Sequence, residues 1–74
     1  MAEYLIVKTN NPKPLYIDRI EAGSTNQTVE VERGHHLVHV GHTNGPGNLV
    51  FVSGTAQLSP FVLELPGDDD TDDY

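Results

Sequence analysis

Residues 28–40, Thr-Val-Glu-Val-Glu-Arg-Gly-His-His-Leu-Val-His-Val, decide the fold of this chain. Val29 and Val31 alternate with polar residues, which predicts a strand with one apolar face. Gly34 can take positive φ without steric cost, so Arg33-Gly34 predicts a tight turn and residues 28–40 a β-hairpin. Beyond the turn, residues 36, 38 and 40 share one face of the second strand, and residues 35, 37 and 39 share the other.

Working outward, short apolar segments separated by Gly, Pro and Asn predict further strands. They lie at 3–9, 15–17, 20–22, 49–52 and 57–65, the last interrupted by Pro60. No segment shows helical periodicity beyond one turn. Turn signals about every 8–12 residues predict an all-β fold, a small antiparallel sandwich or barrel of six to seven short strands. Residues 1–65 form the predicted domain, and residues 66–74 an acidic tail.

The alternation of faces predicts which side chains form the core. The predicted core is Leu5, Val7, Leu15, Ile17, Val29, Val31, Val38, Val40, Phe51 and Leu63. Two strands, Tyr4–Val7 and Leu49–Val52, are apolar on both faces. A strand of a small sandwich normally shows one face to water, so one pair of side chains in each run needs a cover from outside its own core.

Composition limits the partners that this chain can have. The 74 residues contain eleven acids, four Lys or Arg and no Cys, and five of the eleven acids are aspartates in residues 66–74, which contain no base. An acidic chain without a basic patch argues against nucleic acid. The absence of Cys excludes disulfides and thiolate metal sites. No apolar run reaches the roughly 18–20 residues of a membrane span, and the N-terminus lacks signal-peptide features, so we expect no membrane insertion and leave the compartment open, envelope or virion included.

Residues 5–65 resemble a PEGA domain, a small β-sandwich module of prokaryotic proteins. The matching features are Leu15-Tyr16-Ile17-Asp18, Gly23, Thr25, Val29, Val31, Gly34-x-His36-x-Val38-x-Val40 and apolar strands closing at Leu65. Arg19 stands where the family pattern has Gly, and Asn26 where it has Pro. The resemblance implies a non-catalytic role beside kinases or in surface-layer and other envelope proteins, and it carries over no ligand residue.

Four histidines, His35, His36, His39 and His42, fall within eight residues. Along a strand His35 and His39 share a face but stand roughly 13 Å apart, too far to ligate one ion at about 2 Å each. A metal site would therefore need ligands from other strands or from a symmetric partner, and we expect no cofactor. His36 is expected to be partly buried and hydrogen-bonded, whereas His35 or His39 could make an interface sensitive to pH.

Catalytic signals are weak. Ser24, Ser53 and Ser59 lie outside any Gly-x-Ser-x-Gly motif, and the carboxylates Glu30 and Glu32 point outward, so we expect no enzyme. The acidic tail lacks the Gly and closing Glu of a calcium loop. A solvated tail, a tail docked on a basic surface and a calcium-binding tail all remain open.

These observations lead to two hypotheses for the function. The first is a non-enzymatic structural or assembly protein, a β-module that self-associates or decorates a larger shell, filament, envelope layer or virion. The alternative is an accessory ligand- or peptide-binding β-domain of a larger receptor or envelope protein. The predicted protein interface is Tyr4, Ile6, Val50, Val52, Asp68, Asp69, Asp70, Asp72, Asp73 and Tyr74.

Overall fold

A computed structural model describes residues 2–65, which form seven strands and no helix. The strands are β1 (Ala2–Lys8), β2 (Pro14–Ile17), β3 (Ile20–Ser24), β4 (Thr28–Glu32), β5 (Gly34–Val40), β6 (Asn48–Val52) and β7 (Phe61–Glu64). The predicted all-β sandwich is confirmed. The last strand begins only after Pro60, and an isolated bridge between Ala56 and Ser59 closes a turn before it. Proline cannot donate to a ladder, which explains why the strand starts beyond it.

The strands form two sheets. Sheet A contains three strands in the order β4-β1-β7, and sheet B contains four in the order β3-β2-β5-β6. Sheet B is antiparallel throughout, whereas in sheet A the pair β1–β7 is parallel. The expected antiparallel sandwich is therefore correct except for this one pair. The long path from β1 to β7 makes the parallel pair possible, since parallel neighbours need a crossover rather than a hairpin.

The predicted hairpin at residues 28–40 is wrong. β4 pairs with β1 in sheet A, and β5 pairs with β2 and β6 in sheet B, so the chain crosses between sheets at Arg33. Gly34 has φ +127°, a conformation that glycine readily adopts, at the start of the new strand. Two strands with one apolar face each can pair side by side or face each other across a core. Here Val31 and Val38 lie in opposite sheets of one core.

A two-residue hairpin does exist, but it joins β2 to β3. Ile17 pairs with Ile20, and the two residues between them, Asp18 and Arg19, have φ +54° and +70°. Positive φ at both central positions is the signature of a type I′ turn, whose twist matches that of antiparallel strands. Arg19 thus occupies a left-handed position, the one where the PEGA pattern has Gly.

The core lies between the sheets. Its buried apolar side chains are Leu5, Val7, Leu15, Ile17, Val31, Val38, Val50 and Val52, with Val29, Val40, Phe61, Leu63 and Leu65 packed against them. Nine of the ten predicted core residues are in this set. Phe51 is not, because its side chain is 52% exposed. All four residues of the run 49–52 are apolar, so the sequence does not distinguish the inward face of this strand from the outward one. A shift of one residue exchanges the two faces.

Candidate interaction surfaces

An apolar surface lies on the outer face of sheet B at its β6 edge. Within residues 2–65, β6 pairs only with β5, so its other side is an open sheet edge. Leu49 is 70% exposed and Phe51 52% exposed. Their register partners on β5 are Leu37 and His35, and the rings of His35 and Phe51 are 4.8 Å apart between centroids. We call Leu37, Leu49, Phe51 and His35 the β6 surface.

The predicted interface residues Val50 and Val52 do not belong to this surface. Both point inward and are buried, with 8% and 0% of their surface exposed. Assigning them to the outside was wrong for the same reason that Phe51 was misplaced in the core. The outward pair of β6 is Leu49 and Phe51.

Tyr4 and Ile6 do point outward, but on the other side of the sandwich. Both lie on β1, the central strand of sheet A, and both are half-buried. Glu30 and Thr28 on β4 are their register partners on one side, and Val62 on β7 is opposite Ile6 on the other. The structure therefore does not bring Tyr4 and Ile6 together with β6. The remaining predicted interface residues, Asp68, Asp69, Asp70, Asp72, Asp73 and Tyr74, lie outside the described residues.

His36 joins the Arg33 crossover to the β2–β3 turn. Its Nδ1 is 2.8 Å from a carboxylate oxygen of Asp18, and its Nε2 is hydrogen-bonded to the Glu32 carbonyl. Both partners are acceptors, so the doubly protonated ring satisfies both. Burial opposes the charged ring, but the bonds to Asp18 and Glu32 outweigh it, and the pKa of His36 is raised. The expectation of a partly buried, hydrogen-bonded His36 agrees with this geometry.

Asp18 is held from two directions. One carboxylate oxygen accepts the Leu37 N–H at 2.9 Å, and the other faces His36. The Leu37 bond and then the His36 bond lower the pKa of Asp18. Because Asp18 sits in the β2–β3 turn and Leu37 in β5, this carboxylate fixes the turn to β5, the strand of sheet B that follows the crossover.

Sheet A is closed at the same end by a different carboxylate. Glu3, near the start of β1, is buried, and its Oε1 accepts the Thr55 hydroxyl at 2.6 Å and the Thr55 N–H at 2.9 Å. The Thr55 oxygen in turn accepts the Tyr4 N–H at 2.7 Å. The Thr55 hydroxyl, then the Thr55 N–H, lower the pKa of Glu3. Glu3 therefore ties the segment between β6 and β7 to β1.

His39 shares the outward face of β5 with His35, as expected, yet it is only 3% exposed. The loop after β5 folds back over it. The Gly45 carbonyl lies 3.1 Å from its Nε2, and a Cβ on Gly47 would come within 2.8 Å of its ring. Nε2 therefore carries the proton, and the buried Nδ1 has no hydrogen-bond partner among the described residues. No group of three potential metal ligands forms within residues 2–65.

A cleft of about 490 Å³ opens beside this loop. Its lining is Lys13, Val38, His39, Val40, Gly41, His42, Asn44, Pro46, Gly47, Asn48 and Leu65. The sequence did not predict this cleft, since Lys13 and Leu65 come from distant parts of the chain. Glycines and asparagines of residues 41–48 form one wall of the cleft, and the fold brings in the other walls from distant segments.

Comparison of the chain with protein-family models, curated proteins and solved structures found no match. The described part of the chain has no helix that could span a membrane.

Proposed function

We propose that this chain is a non-enzymatic structural or assembly module that self-associates through the β6 surface. The observation that carries the proposal is the pair Leu49 and Phe51 on an edge strand. Five large apolar side chains of the described residues are exposed, and only these two share one face of one strand. An edge strand with an apolar face is a template for pairing with another chain.

A second copy fits this surface by symmetry. If β6 pairs antiparallel with β6 of another copy, the two sheets B become one continuous sheet, and the same patch faces itself, as a two-fold interface requires. Leu49 and Phe51 of both copies then line one shared outer face. The small size of the chain favours such a contact, because a domain of this length buries a limited core of its own.

The resemblance to PEGA domains supports the non-catalytic part of the proposal. The same edge could instead accept a peptide strand of another protein, as sheet-edge binding modules do. That alternative corresponds to the accessory-domain hypothesis, and it differs from self-association in what the isolated chain does at high concentration.

The test is size-exclusion chromatography with light scattering over a range of concentrations. The wild type should form reversible oligomers, and Leu49→Thr with Phe51→Thr should give a folded monomer, since Thr keeps strand propensity but removes apolar area. The matched control is Ile20→Thr with Val62→Thr, which removes two exposed apolar side chains from different strands. A wild type that stays monomeric at high concentration would replace this proposal with the accessory-domain one, and equal behaviour of the two double variants would remove β6 from it.

A further inference from the structure

The four Lys and Arg residues of this chain are divided between the two ends of the sandwich. Lys8 ends β1 and Lys13 precedes β2, both at the end that contains the cleft. Arg19 and Arg33 lie in the β2–β3 turn and the crossover, at the opposite end. Within residues 2–65, neither lysine has a carboxylate at ion-pair distance. Glu64 on β7 is the register partner of Lys8, so the positive charge that lines the cleft is that of Lys13.

The cleft itself presents hydrogen-bond donors. The Lys13 side chain extends along its wall, with Cδ 4.0 Å from where a Cβ of Gly41 would lie. His42, Asn44 and Asn48 line the same space, and no described Asp or Glu does. A cleft with an ammonium group, an imidazole and amide donors suits a chain of carboxylates.

The end of β7 leads the chain to this cleft. Leu65 donates its N–H to the Lys8 carbonyl at 2.8 Å, and it is one of the residues that line the cleft. The next nine residues contain five aspartates. Nine extended residues reach up to about 30 Å, and a short tether gives an effective concentration in the millimolar range.

We propose that the cleft is a binding site for an acidic peptide and that residues 66–74 of the same chain occupy it. The aspartates face Lys13 and His42, and the amides of Asn44 and Asn48 supply uncharged donors. The attraction is electrostatic, and Lys13 is partly exposed to solvent, so salt weakens the attraction. This site lies at the opposite end of β6 from Phe51, and the inference does not depend on the proposed self-association.

Paramagnetic broadening of amide NMR signals tests the proposal in the full chain. The protein has no Cys, so Tyr74→Cys creates a single position for a spin label. The background is the Leu49→Thr, Phe51→Thr variant, which keeps association through β6 out of the measurement. Broadening should concentrate at Lys13, Gly41, His42 and Asn44, and spare Arg33, Gly34 and Gly54 at the other end of the sandwich.

A neutral-tail variant is the matched control, with the five aspartates replaced by Asn and the same label. It retains the tether, so it reports the broadening that an undocked tail produces. We expect the labelled wild-type tail to broaden the cleft amides more than this control does, and 1 M NaCl, where the Debye length is about 3 Å, to remove the difference. Lys13→Gln should reduce the difference, and Arg33→Gln should leave it unchanged.

Three results would overturn the proposal. Equal broadening by the charged and neutral tails would show that the aspartates do not direct the tail to the cleft. An equal effect of Lys13→Gln and Arg33→Gln would show that the tail responds to the overall charge of the domain and does not bind at the cleft. Broadening of unlabelled, isotope-enriched chains by spin-labelled chains of natural abundance, at the same amides, would assign the cleft to the tail of a second copy instead.

Discussion

β1 and β6 each contain four consecutive apolar residues, yet the structure uses them differently. In β1, Leu5 and Val7 are fully buried and the outward side chains of Tyr4 and Ile6 are half-buried. In β6, the inward side chains are buried, but Leu49 is 70% exposed. The difference teaches that a continuous apolar run does not by itself define an interaction surface.

Position in the sheet explains the difference. β1 is the central strand of sheet A, so β4 and β7 flank its outward side chains with their own. β6 is an edge strand with β5 on one side, so its outward side chains have cross-strand neighbours on that side alone. The same sequence pattern is covered in one sheet and left open in the other.

The two sheets also differ in how their common end is closed. Glu3 in sheet A is held by Thr55, a neutral partner. Asp18, in the β2–β3 turn of sheet B, is hydrogen-bonded to His36, a titratable group whose pKa is raised. The following experiments probe these contrasts in order of expected effect.

The face assignment of β6 should give the largest effect. Val52→Asp places a carboxylate at a fully buried position, at a cost of several kcal/mol or more, comparable to the whole stability of a small domain. We expect the variant to be unfolded by circular dichroism. Phe51→Asp, one residue away on the exposed face, should melt as a folded domain. A folded Val52→Asp variant or an unfolded Phe51→Asp variant would contradict the inward and outward assignment.

Asn26 lies in the connection between β3 of sheet B and β4 of sheet A, and substitutions there test its backbone conformation. It has φ +66°, its N–H donates to the Val7 carbonyl at 2.7 Å, and its Oδ1 accepts the Thr9 N–H at 3.0 Å. Proline fixes φ near −65° and has no N–H, so Asn26→Pro should cost about 3 kcal/mol or more in denaturant unfolding. Asn26→Gly keeps the N–H and the positive φ, so it should cost about 1 kcal/mol from the lost side-chain bond. Similar losses for the two variants would count against the left-handed conformation.

The pH dependence of stability distinguishes the Glu3–Thr55 contact of sheet A from the Asp18–His36 contact of sheet B. The lowered pKa values of Glu3 and Asp18 stabilise the fold above their ordinary values of 4.5 and 3.8, and this stability is lost as pH falls further. The raised pKa of His36 stabilises the fold fully below 6.5, and this part is lost as pH rises through the folded value. Melting temperature should therefore peak between about pH 4.5 and 6.5.

His36→Gln is the matching variant, because an amide keeps hydrogen-bonding capacity without titrating in this range. It should flatten the decline on the alkaline side of the peak. The acid side should persist in reduced form, since Glu3 and the Leu37 bond to Asp18 remain while the His36 contribution to the lowered pKa of Asp18 is lost. An unchanged alkaline decline would show that His36 is not its source.

The smallest effect is expected in the turn of sheet B. Arg19 has φ +70°, a conformation that costs a non-glycine residue roughly 1–2 kcal/mol, part of which glycine loses again through unfolded-state entropy. Arg19→Gly should raise stability by about 1 kcal/mol, or roughly 4–8 °C in Tm. Arg33→Gly, which removes the same charge where φ is not positive, should not stabilise. A lower Tm for Arg19→Gly would mean that the Arg19 side chain makes a contact worth more than the turn strain.

Much of the fold was predictable because it depends on local alternation. The seven strands were located to within a few residues at most ends, and the face assignments of β1, β2, β4 and β5 are correct. The PEGA resemblance stays a hypothesis. The sequence predicted that β6 has an outward apolar pair. The predicted pair was Val50 and Val52, whereas the outward pair is Leu49 and Phe51, because the two faces of the run 49–52 are equally apolar.

By itself, the sequence determined strand positions, an all-β class and the polar and apolar faces of alternating strands, since each depends on neighbours along the chain. Tertiary structure decided that residues 28–32 and 34–40 belong to different sheets, because one apolar strand face is buried equally well beside or across from another. It also decided that β1 is central and β6 is an edge. It placed Lys13, His42 and Leu65 around one cleft, since sheet order and register arise from contacts between residues far apart in the chain.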